Sequence, residues 1–90
     1  MVVSDSHRTT AIVIRNDGAR VTLVPMKGGK LFAETLSFSD FRAQWREEDY
    51  ALEKALDMFL SHAQERGASA EVVRGLTRLQ LRDQVCASLF

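Results

Sequence analysis

Apolar and β-branched residues form two short runs near the start of the chain, separated by a turn signal. The first run, TTAIVIRN, covers residues 9–16 and is followed by Asn16-Asp17-Gly18, whose residues tolerate positive φ. The second run, ARVTLVPM, covers residues 19–26. Because Pro25 cannot donate a hydrogen bond to a ladder, this strand should end there or lie at a sheet edge. The pattern predicts a β-hairpin.

A third run continues the same alternation. Residues 27–30, Lys-Gly-Gly-Lys, form a second turn signal, and LFAETLSF follows at residues 31–38. In a strand, Phe32, Leu36 and Phe38 project to one face. Three strands joined by two tight turns predict an antiparallel meander.

After this third run, the apolar positions change to helical spacing. Ser37 and Ser39 are both candidate N-caps for a short helix over residues 40–47, which carries Phe41 and Trp45. A cap followed by apolar residues four apart is typical of a short amphipathic helix.

Two further helices are expected in the second half of the chain. The first covers residues 48–66, and the pattern leaves open whether it continues the short helix. Gly67 is suited to the position after its C-terminus, and Ser69 can cap a third helix from Ala70 to near the chain end. Gly75 lowers the stability of that helix by about 1 kcal/mol relative to alanine. Two roles could explain a glycine here: it permits close packing, or it marks a kink.

These elements predict an α+β fold, in which a three-stranded antiparallel β-meander carries two or three helices on one face. Residues 1–8 are expected to form a flexible N-terminal arm, and residues 9–90 a single domain. The predicted core comprises the inward apolar residues of these elements: Ile12, Ile14, Val21, Leu23, Phe32, Leu36, Phe38, Phe41, Trp45, Leu52, Leu56, Phe59, Val72, Leu76 and Leu79.

Composition narrows the classes of function. The chain has 90 residues, of which 46% are hydrophobic and 27% charged, which is typical of a globular domain. Twelve basic and twelve acidic residues give zero net charge, which argues against a protein that mainly neutralises phosphates. The charges are unevenly spread, because residues 40–66 are acidic on balance and the segments on either side are mildly basic.

Candidate catalytic chemistry is sparse. His7 lies in the polar arm, and His62 near the end of the second helix, where a cation favours the helix dipole. Cys86 is the single cysteine, so neither a disulfide within the chain nor a cysteine-based metal site is expected. We therefore expect a non-enzyme without cofactor or metal. The chain shows no signal-peptide pattern and no long apolar run, so the cytoplasm is the expected location and no membrane is expected as a partner.

Charged residues repeat every four positions on two consecutive helices. The acidic stripe of the second helix consists of Asp49, Glu53 and Asp57. The basic stripe of the third helix consists of Arg74, Arg78 and Arg82. On two antiparallel helices lying side by side on a sheet, these stripes fall on flanks that point in the same direction, so they cannot meet at the shared seam. A two-fold dimer can bring one subunit's acids to the other's arginines.

Leu81, Val85 and Leu89 extend the apolar surface of the third helix onto its arginine side. A helix that is apolar on two sides usually lies between its own core and a partner, and the alternative here is a frayed C-terminus. We therefore interpret these residues and the charged stripes as a protein interface. The expected function is that of a small adaptor or regulatory protein, acting as a homodimer or as a subunit of a complex.

DNA binding is the alternative function. A three-stranded sheet followed by a helix can enter the major groove, and Arg15, Arg20, Lys27 and Lys30 are the available basic residues. The stretch VTLVPMKGGKLFAETLSFSDFRAQW, residues 21–45, resembles the arm-binding domains of phage-type integrases in its order of strand, GGK turn, strand and aromatic-bearing helix. The resemblance implies contacts from basic residues on the exposed sheet face, which here are diluted by apolar and acidic ones.

Overall fold

The computed structural model describes residues 1–27, 30–48 and 52–88. Within these ranges it describes every side chain except those of Lys27, Lys30, Gln64, Arg66 and residues 83–88. The described residues form six strands and three helices, an α+β arrangement as predicted. In chain order the elements are β1 Val2–Ser4, β2 Thr10–Asn16, β3 Arg20–Lys27, β4 Lys30–Leu31, β5 Glu34–Ser37, α1 Phe38–Gln44, β6 Arg46–Glu47, α2 Leu52–Arg66 and α3 Ala70–Ser88.

Five of the described strands form one antiparallel sheet in the order β5–β3–β2–β1–β6, and the short strand β4 pairs with the end of β3. β4 and β5 keep a single register against β3, from Lys30 opposite Lys27 to Ser37 opposite Arg20, so they are two parts of the predicted third strand. The break between them falls opposite Pro25, which has no N–H to donate. β3 itself continues past Pro25, so the strand end expected at this proline is not found.

Strand β1 lies inside the sheet, between β2 and β6, and replaces the flexible arm expected for residues 1–8. Val2 pairs with Ile12, and Val3 pairs with Glu47. Both valines are buried, Val3 completely. Two apolar residues before a polar turn are too short a signal to predict a strand, because the partners that stabilise it lie elsewhere in the chain. The predicted meander is therefore part of a wider sheet.

The turn between β2 and β3 forms at Asn16-Asp17-Gly18, as predicted. Gly18 has a φ of 92°, and the Asp17 carboxylate accepts hydrogen bonds from Arg20 N at 2.7 Å and from Ala19 N at 3.0 Å. These two bonds favour the charged carboxylate and hold the pKa of Asp17 below its ordinary value. The turn is thus stabilised by its own side chain as well as by its glycine.

Buried side chains cover both faces of the sheet, so the expectation of helices on one face is wrong. On one side, α2 and α3 pack on the sheet. The buried residues of this cluster are Val2, Ile12, Val24 and Leu31 from the strands, Ala55, Leu56, Phe59 and Ala63 from α2, and Val72 and Leu76 from α3. On the other side, Phe41 of α1 and Trp45, which follows α1, pack on the sheet. The strand residues of this cluster are Val3, Ala11, Val13, Val21 and Leu23. A strand that is buried on both faces is apolar at nearly every position, as the run over residues 11–14 is.

Phe32 and Phe38 were predicted in the core but are exposed, at 44% and 37%. In the register shared by β4 and β5, Phe32 belongs to the α1 side, where one short helix leaves it uncovered. Leu31 belongs to the side that α2 and α3 cover, and it is buried. Phe38 is the first residue of α1, and the centroid of its ring lies 5.8 Å from the guanidinium carbon of Arg42.

α1 and α2 are two separate helices. Ser37 caps α1, because its Oγ accepts a hydrogen bond from Asp40 N at 3.2 Å. The helix ends at Gln44, and the chain then forms β6 at Arg46–Glu47. The predicted helix over residues 40–47 is therefore too long at its C-terminal end, because residues 46 and 47 pair with β1 instead.

α3 packs directly on β2. Gly67, with a φ of 62°, follows α2, and Ser69 Oγ accepts a hydrogen bond from Val72 N at 3.4 Å at the start of α3. A Cβ added at Gly75 would lie 2.9 Å from Ile14 Cδ1. The described helix is continuous through this position, and the short distance to Ile14 supports close packing as the role of Gly75.

Candidate functional site

The basic stripe of α3 borders a groove between that helix and strands β2 and β3. Arg74, Arg78 and Arg82 are exposed and line this groove. Its other lining residues are Ile14, Arg15, Asn16, Thr22, Glu71 and Gly75. The groove has a volume of about 580 Å³. We call it the arginine groove.

A β-bulge brings Arg15 into the arginine groove. After residue 13 the register of β2 against β3 shifts, so that Arg15, and not Ile14, pairs with Thr22. Paired residues of an antiparallel sheet project to the same face, and Thr22 shares its face with Val24, which packs against α2 and α3. Strict alternation would place Arg15 on the α1 side. The bulge therefore turns Arg15 toward α3, a kind of redirection that is common near functional sites.

Positive charge exceeds negative charge in the arginine groove, which is lined by four arginines and one carboxylate, that of Glu71. Among the side chains that the structure describes, no salt bridge joins these arginines to a carboxylate. Asn16 Oδ1 accepts a hydrogen bond from Gly18 N at 3.0 Å, which leaves the NH₂ of Asn16 available as a further donor. A chain of zero net charge thus carries a concentrated basic surface at this place.

The two described members of the acidic stripe, Glu53 and Asp57, do not line the arginine groove. Glu53 and Asp57 are exposed, and Asp57 Oδ1 accepts a hydrogen bond from Gln80 Nε2 at 3.2 Å across the seam between α2 and α3. Arg78 and Arg82 line the opposite flank of α3, beside β2. This is the geometry that helical rotation predicts, in which Arg78 and Arg82 turn away from the acids of their own chain.

An apolar surface lies on the solvent side of α3, between these two flanks. Val73 and Leu81 are 39% and 57% exposed, and Arg74 and Arg78 border the same surface. We call the residues that form it, Ala70, Val73, Thr77 and Leu81, the outer stripe. Its exposure contrasts with the opposite side of the helix, where Val72 and Leu76 are completely buried.

Some residues of the predicted interface lie outside the described residues. Asp49 and Leu89 are not among the described residues, and the side chain of Val85 is not described, although its backbone belongs to α3. Of the predicted apolar series Leu81, Val85 and Leu89, Leu81 is therefore the residue whose side chain is described. Val73 was missed from the sequence, although its spacing of eight residues from Leu81 places both on one side of a helix.

The four basic residues predicted to contact nucleic acid are spread over β2, β3 and β4. Arg20 begins β3 and Lys27 ends it, so these two positions lie roughly 20 Å apart along the strand. Lys30 pairs with Lys27 at that far end, and neither lysine side chain is described. Arg15 lies in the arginine groove instead.

A second groove, of about 860 Å³, lies beside α1 and the turn between β1 and β2. Three arginines and three carboxylates line it, so its charges are balanced. Trp45 Nε1 is buried there without a hydrogen-bond partner among the described residues, and Arg8 has a φ of 61° in the turn. The sequence could not reveal this groove, because β1 and β6 were not predicted. Its balanced charge favours neither anions nor cations, so the arginine groove has the more selective chemistry.

The two candidate catalytic histidines have different partners. His62 Nδ1 lies 3.8 Å from Glu65 Oε2 in α2, and the backbone N–H of His7 donates to Asp5 Oδ1 at 2.9 Å. The side chain of Cys86 is not described. Over residues 1–27, 30–48 and 52–88, no group of three His, Cys, Asp or Glu side chains is placed to hold a metal ion. No helix in these ranges is long and apolar enough to cross a membrane.

Comparison of the chain with protein-family models, with curated proteins and with solved structures finds no significant match. The resemblance of residues 21–45 to integrase arm-binding domains therefore stays a similarity of pattern. The candidate functional surfaces are therefore the two on α3, the outer stripe and the arginine groove.

Proposed function

We propose that the chain is a small non-catalytic interaction protein that associates with a second copy of itself through the outer stripe of α3. The observation that supports this most directly is the exposure of Val73 and Leu81 on a helix whose other side already lies in the core. Burying an aliphatic side chain of this size is worth about 1.5–3 kcal/mol. A second copy placed over the outer stripe would gain part of that free energy.

Charge favours a copy of the same chain as the partner. Arg74 and Arg78 border the outer stripe, and Glu53 and Asp57 are exposed on the adjoining helix. A two-fold axis that runs along α3 through the stripe exchanges the two flanks, so each subunit's acids face the other's arginines. With twelve basic and twelve acidic residues, the chain has no net charge with which to repel its own copy. A 90-residue domain also gains core by association.

Sedimentation velocity over a series of protein concentrations tests this proposal. We expect Leu81→Glu to raise the dissociation constant about a hundredfold, because a two-fold interface loses the leucine twice and gains a buried charge twice. Val73→Glu should act in the same direction. The matched control is Met58→Glu on α2, since Met58 is 43% exposed but lies outside the outer stripe. This control should change the dissociation constant less than about twofold.

Two results would contradict the proposal. A wild-type chain that stays monomeric at the highest attainable concentration would exclude the homodimer. Equal weakening by Met58→Glu and Leu81→Glu would show that the outer stripe is not the contact surface.

DNA binding through the sheet and its basic turns is the alternative function. It has less support, because Arg20 and Lys30 lie near opposite ends of β3. Binding to DNA that weakens with salt and is lost in the Arg20→Ala, Lys30→Ala double variant would support this alternative. Absence of binding at low salt would count against it.

A further inference from the structure

We propose that the arginine groove binds a phosphate-bearing ligand. Four arginines line the groove from two elements, Arg15 from β2 and the other three from α3. Arg15 lies there because of the bulge after Val13. A bulge disrupts the strand ladder, so it is expected where the redirected side chain has a use. This inference goes beyond the proposed self-association and does not depend on it.

Guanidinium groups match phosphate in both charge and geometry. Each stays protonated and presents its N–H donors in a planar fork that can contact two phosphate oxygens at once. Among the lining residues, four arginines exceed the one carboxylate of Glu71 by three charges, and the Asp17 carboxylate near Arg15 offsets part of this excess. Like charges in a concave surface raise the local potential, and a multivalent anion is attracted to that potential and neutralises it.

The length of the groove suits a ligand with more than one phosphate. Arg74 and Arg82 are eight residues apart on α3, which corresponds to about 12 Å along the helix axis. A volume of about 580 Å³ is in the range of small-ligand sites. Two sources can supply this chemistry, a compact polyphosphate and the backbone of a nucleic acid. Both offer successive phosphate oxygens to successive arginines.

The competing occupant is the acidic stripe of a second copy, through Glu53 and Asp57. Carboxylates would also pair with arginine forks, but they can reach the groove only in a dimer. A phosphate ligand needs no second subunit. The Leu81→Glu variant, which we expect to be monomeric, therefore distinguishes the two occupants.

Isothermal titration calorimetry at low ionic strength is the test, with inorganic tripolyphosphate in one arm and a single-stranded oligonucleotide of about twelve nucleotides in the other. We expect the wild type and Leu81→Glu to bind at least one of these probes. Arg15→Gln and Arg78→Gln should each weaken binding about tenfold, because each removes a charge-assisted contact. The matched control is Arg42→Gln, which makes the same charge change at an exposed arginine of α1 and should alter binding less than about twofold.

The preferred probe identifies the source of the phosphate, and either preference supports the groove. Binding of neither probe overturns the proposal, and so does an equal loss in Arg42→Gln. Dissociation of the dimer by Arg78→Gln, together with no binding of either probe by Leu81→Glu, would assign the arginines to the partner's acids. Circular dichroism of each variant shows whether it is folded before its binding is compared.

Discussion

Among the described residues, Arg8 is the single non-glycine residue with positive φ, at 61°. It lies in the turn between β1 and β2, where its N–H donates to the Asp5 carbonyl at 3.1 Å and Asp5 N–H donates to the Thr9 carbonyl at 3.2 Å. A hairpin turn that ends in a left-handed residue favours glycine at that position. An arginine held there costs roughly 1–2 kcal/mol of conformational free energy.

Replacing this residue should therefore stabilise the protein. We expect Arg8→Gly to raise the free energy of unfolding by about 0.5 kcal/mol, because relief of strain exceeds the added entropy of glycine in the unfolded chain. Urea denaturation measures the change. The matched control is Ser6→Gly in the same turn, where φ is not positive and the entropy term alone should destabilise the fold. Destabilisation of both variants by similar amounts would mean that Arg8 carries no strain.

Between elements, the contact of α3 with β2 sets the geometry of the arginine groove. A Cβ at residue 75 would lie 2.9 Å from Ile14 Cδ1 and 3.3 Å from Ile14 Cβ. The helix gives up about 1 kcal/mol of intrinsic stability at Gly75. Because glycine has no Cβ, the helix axis can come close to the sheet, and Arg74 and Arg78 share a groove with Arg15.

This contact can be tested with a double-mutant cycle. We expect Gly75→Ala to be about 1 kcal/mol more favourable in an Ile14→Val background than in the wild type. Ile14→Val removes the Cδ1 atom, which would lie closest to the new methyl group, so less of the gain in helix propensity is offset by a clash. Chemical denaturation of the four proteins gives the coupling. Additive effects would show that Cδ1 moves aside without cost.

Across the whole molecule, β1 connects the two cores. Val2 belongs to the cluster under α2 and α3, and Val3 to the cluster under α1. Glu48 N donates to the Val2 carbonyl at 2.8 Å, and Ser4 Oγ donates to Glu48 Oε1. The start of the chain therefore ties the segment after α1 to the centre of the sheet.

The burial of Val3 predicts a large effect from a small truncation. Val3→Ala should lower the free energy of unfolding by about 2 kcal/mol, because the residue is completely buried and a cavity would remain. Met58→Ala, a truncation at an exposed position, should change it by less than about 0.5 kcal/mol. Thermal unfolding compares the two variants. A flexible arm would instead make Val3→Ala as mild as this control.

Local signals predicted local structure well. The turn at Asn16-Asp17-Gly18, the Ser37 and Ser69 caps and the end of α2 at Gly67 are all present in the structure. Each depends on a few consecutive residues whose backbone preferences and hydrogen bonds are independent of the rest of the chain. The flank on which the α3 arginines lie also followed from helical geometry alone.

Features that depend on distant residues were not predictable. β1 and β6 stabilise each other across the chain, as Val3 and Glu47 show, and neither is long enough to be recognised alone. The two-sided sheet was missed because burial of both faces depends on where α1 packs. Arg15 was predicted as a possible nucleic-acid contact and not as a neighbour of the α3 arginines, because the bulge that redirects it has no marker in the residues around it.

The two faces of the sheet are completed by different stretches of the chain. The cluster under α1 ends at Trp45, whereas the cluster under α2 and α3 ends at Leu76. A ribosome moving at about 5–20 residues per second needs on the order of seconds to cover that difference. During this interval the nascent chain presents an apolar surface, including Ile12 and Val24, to chaperones and to neighbouring nascent chains. We therefore expect the aggregated fraction of the newly made protein to depend on the rate of translation between these two points.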